Sequence, residues 1–315
     1  MKTRWQFLTL SLVLSASSLA ILSCSDDDHP TQSDGDALVW VQEGPQNLRQ
    51  LSGVWCSSAT DAFAVGQEGT ILHYDGESWL PMESGTYSWL YAVWGTSSTN
   101  VFAAGDNSTI LHYDGESWSP MHIPTQWPIH ALWGTSSGNV FCAGGNGVIR
   151  QYDGTEWWSM SNPHADSLGN TYQFRDVWGS LGTDVFVVAL RGIILHYDGV
   201  DWSLDKLGSS LHGVWGSSAS DVFAVGSNIV LHYDGTVWTQ MPMSGYFYDV
   251  WGTSAGDVFA VGEGGTIMHY DGAKWSALNS TTEMRLTSVW GSSANNVFAV
   301  GLNGGTGVIL HGTRK

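Results

Sequence analysis

The chain has 315 residues, 43% of them apolar, with 39 glycines and 18 tryptophans. That is enough apolar sequence for a large buried core, and repeats can extend one domain beyond the usual size. The formal net charge of -18 at pH 7 argues against nucleic acid and anionic membrane surfaces as partners, because an acidic surface repels both.

Residues 1–23 have the pattern of an export signal. Lys2 and Arg4 give a basic start, and an apolar and small-residue stretch follows over Phe7–Leu22. The sequence Ile-Leu-Ser-Cys at 21–24 resembles a bacterial lipobox, which implies cleavage before Cys24 and attachment of lipid there. The alternative is an ordinary secretory signal with an incidental cysteine.

Residues 24–36 form an acidic tether in this interpretation. The tract Ser-Asp-Asp-Asp at 25–28 resembles the surface-export signal of Bacteroidetes-type lipoproteins, and it also suits a soluble spacer. No other segment has enough uninterrupted apolar residues to span a bilayer, so the lipid would be the only membrane attachment. We expect an outer-membrane lipoprotein of the bacterial envelope, with either periplasmic or cell-surface exposure.

Residues 37–315 repeat one motif seven times, and its consensus is V-W-G-S-S-x-x-D-V-F-A-V-G-x-x-G-T-I-L-H-Y-D-G-x-x-W. The repeats lie 36 to 45 residues apart, and each contains four short stretches of β-branched and aromatic residues. A period near 40 with four strands per unit is typical of propeller blades. The sequence therefore predicts an all-β, seven-bladed β-propeller with four antiparallel strands per blade. The first tryptophan of the motif is Trp55, Trp94, Trp133, Trp178, Trp215, Trp251 and Trp290.

The second repeat shows the expected strand plan. Strand A covers Leu90–Trp94, strand B Val101–Ala104 and strand C Thr109–Tyr113, and strand D begins near Trp118. Asp-Gly at 114–115 joins strand C to strand D. This dipeptide predicts a two-residue hairpin in which both turn residues have positive φ.

The seventh repeat is incomplete, since it ends near His311 without a strand D tryptophan. A matching tryptophan stands at the other end of the propeller region. Trp40 precedes Trp55 by 15 residues, as Trp79 precedes Trp94. We predict that the strand around Trp40 completes blade seven and closes the ring, because closure removes two exposed edge strands.

Two of the four connections vary in length between repeats. The A–B and C–D connections are constant, whereas the D–A and B–C connections change. In a four-stranded meander the two variable connections emerge on one face, called the loop face below. Because variable loops on a rigid scaffold often carry function, we predict binding there. Drift of solvent-exposed loops is the alternative.

The D–A loops are rich in aromatic residues. Aromatic rings beside polar groups suit sugar rings or the hot spots of a protein partner. Part of this set could instead fill gaps between blades. The candidates for ligand binding are Tyr87, Trp89, Trp127, His130, Trp158, His164, Tyr172, Phe174, Tyr246 and Tyr248.

A histidine recurs near the end of strand C in six repeats, and Gln151 replaces it in the third. Equivalent positions on different blades lie around a ring, too far apart to share one metal ion. We expect a hydrogen bond within each blade, and neither a metal nor a cofactor. The repeated aspartate of Tyr-Asp-Gly has a role in its turn. The histidines are His73, His112, His196, His232, His269 and His311.

No catalytic residue is assigned from the sequence. Glu68, Asp106 and Glu263 fall in B–C segments and could bind a cation or a polar ligand. A phosphate-binding glycine loop with lysine and a His-Glu-x-x-His motif are both absent. Cations are few, which argues against an anion site held by arginines.

The motif resembles that of bacterial secreted propeller-repeat proteins, most clearly at 215–238 and 251–275, and the resemblance implies a fold without an assigned activity. The strand plan is also similar to tectonin lectins, whose blades pair a tryptophan strand with a Tyr-x-Asp-Gly-type turn, and this implies carbohydrate binding. Comparison with the Asp-box propellers of sialidases and photosystem II assembly factors fails at the turn, because residues 74–79 lack the Asp-box spacing. Arg150, Arg175 and Arg191 do not occupy equivalent positions, so no arginine triad can be carried over.

These features favour a lipid-anchored binding module that recognises a glycan or an envelope protein through its D–A and B–C loops. One alternative is a glycan-active hydrolase or lyase on a propeller scaffold. The other is a structural scaffold of an envelope complex. We expect a monomer.

Overall fold

The computed structural model describes residues 38–161 and 172–314. Within them the chain forms seven four-stranded antiparallel sheets around a central channel, which confirms the predicted seven-bladed β-propeller. The predicted signal peptide, Cys24 and the acidic tether lie outside the described residues, and so does His164.

Blades 1 to 6 follow the chain, with strands A to D in order from the channel outwards. Blade 1 comprises β2 Leu51–Ser58, β3 Asp61–Gly66, β4 Ile71–Tyr74 and β5 Trp79–Met82; blade 2 comprises β6 Leu90–Ser97, β7 Asn100–Gly105, β8 Ile110–Tyr113 and β9 Trp118–Pro120; blade 3 comprises β10 Ile129–Ser136, β11 Asn139–Gly144, β12 Ile149–Tyr152 and β13 Trp157–Ser159. Blade 4 comprises β14 Phe174–Leu181, β15 Asp184–Ala189, β16 Ile193–Tyr197 and β17 Trp202–Lys206; blade 5 comprises β18 Leu211–Ser218, β19 Asp221–Gly226, β20 Ile229–Tyr233 and β21 Trp238–Gln240; blade 6 comprises β22 Phe247–Ser254, β23 Asp257–Gly262, β24 Ile267–Tyr270 and β25 Trp275–Leu278. Single 3-10 turns occupy Gln67–Gly69, Gly145–Gly147, Leu190–Gly192 and Glu263–Gly265.

Blade 7 combines both ends of the described chain. It contains β26 Arg285–Ser293, β27 Asn296–Asn303 and β28 Thr306–Thr313, and its outer strand is β1 Val39–Glu43. Trp40 pairs with Gly312 and is 3% exposed. Strand β26 also contacts β2 of blade 1, so the inner strands form a complete ring. The predicted closure by the strand around Trp40 is confirmed.

The core lies between blades, where a strand B phenylalanine is buried by the next blade. Phe63 lies against His73 of its own blade, with ring centroids 4.6 Å apart. It also meets Trp118 of blade 2 edge-on at 6.1 Å. Edge-to-face contacts of this kind add stability beyond simple burial. Equivalent buried residues are Phe102, Phe141, Phe186, Phe223, Phe259 and Phe298.

The glycine of the Trp-Gly pair makes room for the preceding blade. A Cβ atom at Gly179 would lie 2.7 Å from Cη2 of Trp133, so a larger residue would displace the indole ring. In blade 1 the corresponding residue is Cys56, which is buried and unpaired, as is Cys142. Packing against the indole of the preceding blade therefore explains the Trp-Gly dipeptide in the six blades that carry it.

The C–D turns differ from the two-residue hairpin predicted from Asp-Gly. Tyr74 pairs with Trp79, which leaves four residues in the turn. Oδ1 of Asp75 accepts the backbone N–H groups of Glu77 and Ser78 at 2.9 and 2.8 Å, and Gly76 has a φ of 96°. The prediction was wrong because the aspartate side chain stabilises the wider turn and keeps its own φ negative.

The repeated histidines make the predicted hydrogen bonds within their blades. Nε2 of His73 lies 2.7 Å from Oδ1 of Asp61, the residue that opens strand B. In blade 3, Nε2 of Gln151 donates to Oδ1 of Asn139 at 2.9 Å, so glutamine replaces the imidazole in this role. The other pairs are His112 with Asn100, His196 with Asp184, His232 with Asp221, His269 with Asp257 and His311 with Asn296.

Candidate functional site

A ring of seven side chains lines the channel near the loop face. Each stands three residues before the blade tryptophan, early in strand A, and is half-buried. A β-bulge removes this residue from regular pairing, as at Ser52 between Leu51 and Gly53. Bulges change the direction of a side chain, which explains a polar residue inside an otherwise buried strand. This mouth ring consists of Ser52, Tyr91, His130, Arg175, His212, Tyr248 and Thr287. It lines a cavity of about 120 Å³.

On one side of the mouth ring, Tyr248 belongs to a polar cluster. Its hydroxyl donates to Oε1 of Glu263 at 2.6 Å, and the same oxygen accepts from Arg285 at 2.6 Å. The Arg285 guanidinium also lies 5.0 Å from the centre of the Tyr248 ring. Burial and the bond to Glu263 raise the pKa of Tyr248 to about 12, so it stays protonated as a donor.

The two histidines of the mouth ring are neutral at pH 7. Nδ1 of His130 lies 2.8 Å from the carbonyl oxygen of Phe174. Because a carbonyl can only accept, Nδ1 carries the proton. Burial lowers the pKa of His130, and it lowers that of His212 to about 4. His212 also has a partner, since its Nε2 lies 3.2 Å from Oγ of Ser227.

Three further members of the mouth ring, Ser52, Thr287 and Tyr91, form hydrogen bonds with neighbouring protein groups. Trp89 donates its indole N–H to Oγ of Ser52 at 2.7 Å. Oγ1 of Thr287 donates to the carbonyl of Leu51 at 3.1 Å. Burial and a hydrogen bond to Asp106 raise the pKa of Tyr91 to about 12.

Arg175 differs from the other six members of the mouth ring. Its guanidinium makes no hydrogen bond or ion pair with the described residues, and its Nε is buried without a partner. Its ionisable neighbours are Tyr91, His130 and His212, none of which is an anion at pH 7. Burial lowers the pKa of the Arg175 guanidinium from its ordinary value, but the group remains a cation.

The next position along strand A holds two carboxylates inside the channel. Asp176 accepts the backbone N–H groups of Val177 and Val214, both at 2.8 Å, and so joins blade 4 to blade 5. Asp249 binds Val250 and Val289 in the same way, at 2.8 and 2.9 Å. Burial raises the pKa of both carboxyl groups, and the charge of Asp249 adds to the effect at Asp176.

Three predicted aromatic residues are exposed on the loop face, namely Tyr87 (92%), Trp127 (41%) and Tyr246 (59%). Trp89 is half-buried above the mouth ring and stacks on Tyr91, with ring centroids 6.1 Å apart. Tyr172 packs against the core, and its carbonyl accepts the N–H of Gly147 at 2.8 Å. Such bonds between B–C turns and D–A segments hold the loop face together.

Four predicted positions need correction. Phe174 is fully buried, because it fills the same core position as Leu51 in blade 1. His130 and Tyr248 lie in strand A and line the channel, and are not loop residues. Trp158 lies in strand D, and its indole donates to Oδ2 of Asp153 in the C–D turn at 2.7 Å, away from the loop face.

The three B–C carboxylates predicted to bind a cation have protein partners. Glu68 pairs with Arg49, Glu263 pairs with Arg285, and Asp106 bonds to Tyr91. Across residues 38–161 and 172–314, no group of three or more histidine, cysteine, aspartate or glutamate side chains could hold a metal ion. Nor does any helix in these ranges have the length and apolar character to cross a membrane.

Sequence reasoning missed Arg175, His212, Asp176 and Asp249 as members of a site. A signal was present in the aligned repeats, because two adjacent columns vary within an otherwise constant strand A. The residue before them is always large and apolar, as Leu51 and Phe174 show. Variation confined to two columns of a buried strand indicates side chains that face something other than the core.

No family model matches the chain, and no curated protein matches it. Solved structures share its fold. YCF48 from Cyanidioschyzon merolae is 14% identical with a TM-score of 0.69, covering 86% of this chain and 98% of that chain. A structure described as YCF48 bound to D1 peptide is 15% identical with a TM-score of 0.71, covering 88% and 97%. The WD40 β-propeller domain of Doa1 is 11% identical with a TM-score of 0.70, covering 89% and 97%. At these identities the likeness shows a seven-bladed propeller fold and nothing finer.

Proposed function

We propose that this protein is a noncatalytic binding protein that recognises a segment of another protein on its loop face. The observation that carries the proposal is the mouth ring. Its seven equivalent positions hold five different residue types, while the packing positions beside them repeat. A symmetric scaffold with an asymmetric polar mouth is suited to an asymmetric ligand, and the exposed Trp127 and Tyr246 lie on the same face.

Two observations favour a protein segment over a whole small molecule. The cavity of about 120 Å³ is well below the 300 Å³ or more that a drug-sized ligand needs, so it accommodates one group of a larger partner. The propeller described as YCF48 bound to D1 peptide shows that this fold can take a peptide. The tectonin-like strand plan keeps glycan recognition as the competing function.

We also propose that the protein acts at the bacterial envelope, anchored by lipid on Cys24. The lipobox-like sequence at 21–24 supports this, as does the acidic tract that follows. Replacing Cys24→Ser should move the protein from the membrane fraction to the soluble fraction. Protease treatment of intact cells should then distinguish cell-surface from periplasmic exposure. Membrane association unchanged by Cys24→Ser would contradict the anchor.

The binding proposal is tested with the purified full-length protein on parallel peptide and glycan arrays. Trp127→Ala and Tyr246→Ala should each weaken peptide binding about tenfold or more, as expected for aromatic hot spots. Trp158→Ala is the matched control, because it removes an exposed tryptophan away from the loop face. Selective glycan binding would replace the proposal with a lectin, and turnover of a bound glycan would replace it with an enzyme. Equal loss in all three variants would place the site elsewhere.

A further inference from the structure

Arg175 is the most unusual charged group in the described part of the protein. The chain is strongly acidic, yet this guanidinium lies half-buried in the channel and forms no ion pair with the described residues, although Asp176 and Asp249 line the same cavity. The nearest carboxylate in sequence, Asp176, is occupied by the N–H groups of Val177 and Val214. Because burying an unpaired charge costs free energy, an anionic ligand that pairs with Arg175 would offset that cost.

The surroundings of Arg175 suit an anion of small size. His130 and His212 are neutral at pH 7, so neither supplies a negative charge that would pair with Arg175 in place of a ligand. The cavity of about 120 Å³ has room for a few water molecules, and therefore for a carboxylate. Arginine binds carboxylates through two parallel hydrogen bonds, and the attraction grows in a partly desolvated channel.

We propose that the channel mouth binds a carboxylate group of the partner protein, with Arg175 as its charged contact. This inference rests on the proposed recognition of a protein segment at the loop face. The small number of cations in the chain argues against an anion site held by several arginines. A single arginine is sufficient here, because Arg175 is partly desolvated and forms no ion pair with the described residues. Its attraction for an anion is therefore stronger than that of an exposed cation.

The experiment uses four small probes and the full-length protein. N-acetylglycine carries a chain-end carboxylate and N-acetylaspartate amide carries a side-chain carboxylate, while N-acetylglycinamide and N-acetylasparagine amide are their uncharged partners. Binding is followed through the NMR signal of the Arg175 Nε–H group. We expect saturable binding of at least one carboxylate probe and none of the amides. The probe that binds identifies the source of the carboxylate.

Variants separate a binding role from a structural one. Arg175→Gln should reduce probe affinity at least about tenfold, and Arg175→Lys should bind more weakly than the wild type because it lacks the planar fork. Arg191→Gln, an exposed arginine of the same blade, should bind normally. Melting temperatures establish that each variant is folded, and loss of a buried unpaired cation should not lower that of Arg175→Gln.

The outcomes also separate this inference from the proposed function. One outcome is that array peptides bind the wild type and Arg175→Gln equally, and that neither carboxylate probe binds. This result would overturn the carboxylate site without contradicting recognition of a protein segment. Carboxylate probes that bind through Arg175 without any array peptide would support the site and contradict protein recognition. Glucuronate binding preferred over both peptide carboxylates would overturn the protein source of the group.

Discussion

At the level of single residues, Asp176 and Asp249 connect the inner strands of successive blades. Each carboxylate accepts one N–H from its own blade and one from the next, a role that Ser288 fills for Val54 at 3.3 Å. Their burial raises the pKa of both groups, so ionisation opposes folding. The N–H groups favour the ionised carboxylates, but the cost of burying the negative charges exceeds that gain.

The raised pKa of Asp249, about 6, predicts a pH dependence of stability. Between its ordinary value of 3.8 and about 6, the folded protein binds more protons than the unfolded one, so this contribution to stability decreases as pH rises. The free energy of unfolding of the wild type relative to Asp249→Asn should fall by about 1 kcal/mol or more between pH 4.5 and 7.5. Urea unfolding at both pH values measures this difference.

Asp271→Asn provides the control for that experiment. Backbone N–H groups of Lys274 and Ala273 lower the pKa of Asp271, so its contribution is lost only as pH falls below its ordinary range. The difference between wild type and Asp271→Asn should be constant from pH 4.5 to 7.5. A pH-independent difference for Asp249→Asn as well would contradict the predicted role of the buried carboxyl group.

At the level of the blade, the strand C histidine joins two strands and the core. Nε2 of His196 bonds to Oδ1 of Asp184 at 2.7 Å, and its ring stacks on Phe186 with centroids 4.0 Å apart. The sequence alone indicated a bond within each blade, because ring positions on separate blades cannot converge. It did not identify the partner, since residues 12 apart in sequence meet only through the B–C hairpin.

Gln151 of blade 3 predicts that the strand C histidine of another blade can be replaced by glutamine. His196→Gln should keep most of the stability, because Gln151 bonds in the same way to Asn139. His196→Ala should lower the free energy of unfolding by about 1–3 kcal/mol, because it leaves Asp184 without this partner and removes the stacked ring. Urea unfolding of both variants tests this. Equal losses would show that the hydrogen bond contributes little and that ring packing dominates.

At the level of the whole molecule, stability depends on closing the ring. Trp40 lies in β1 and is buried against β28, although 272 residues separate it from its partner Gly312. Without β1, strand β28 would become an exposed edge and the blade 7 core would open. The seven blades should therefore unfold as one cooperative unit.

Trp40→Ala should lower the melting temperature by roughly 10 °C, because removing a buried tryptophan costs about 3–5 kcal/mol. Deletion of residues 37–50 should lower it further, since it removes the whole closing strand. Trp158→Ala, which removes an exposed tryptophan, should change it little. Differential scanning calorimetry of the full chain measures all three. An unchanged melting temperature after the deletion would contradict closure by β1.

The sequence by itself determined the blade count, the strand plan and the closing role of Trp40, because these follow from periodic local patterns. The tertiary structure decided which side chains meet at the channel mouth. Phe174 and Arg175 are adjacent in sequence, yet one is core and the other faces the channel. A β-bulge and the convergence of seven inner strands make that distinction, and neither is a property of local sequence. Arg175 stands out only in the folded chain, where side chains from distant repeats surround it and none of the described residues forms an ion pair with it.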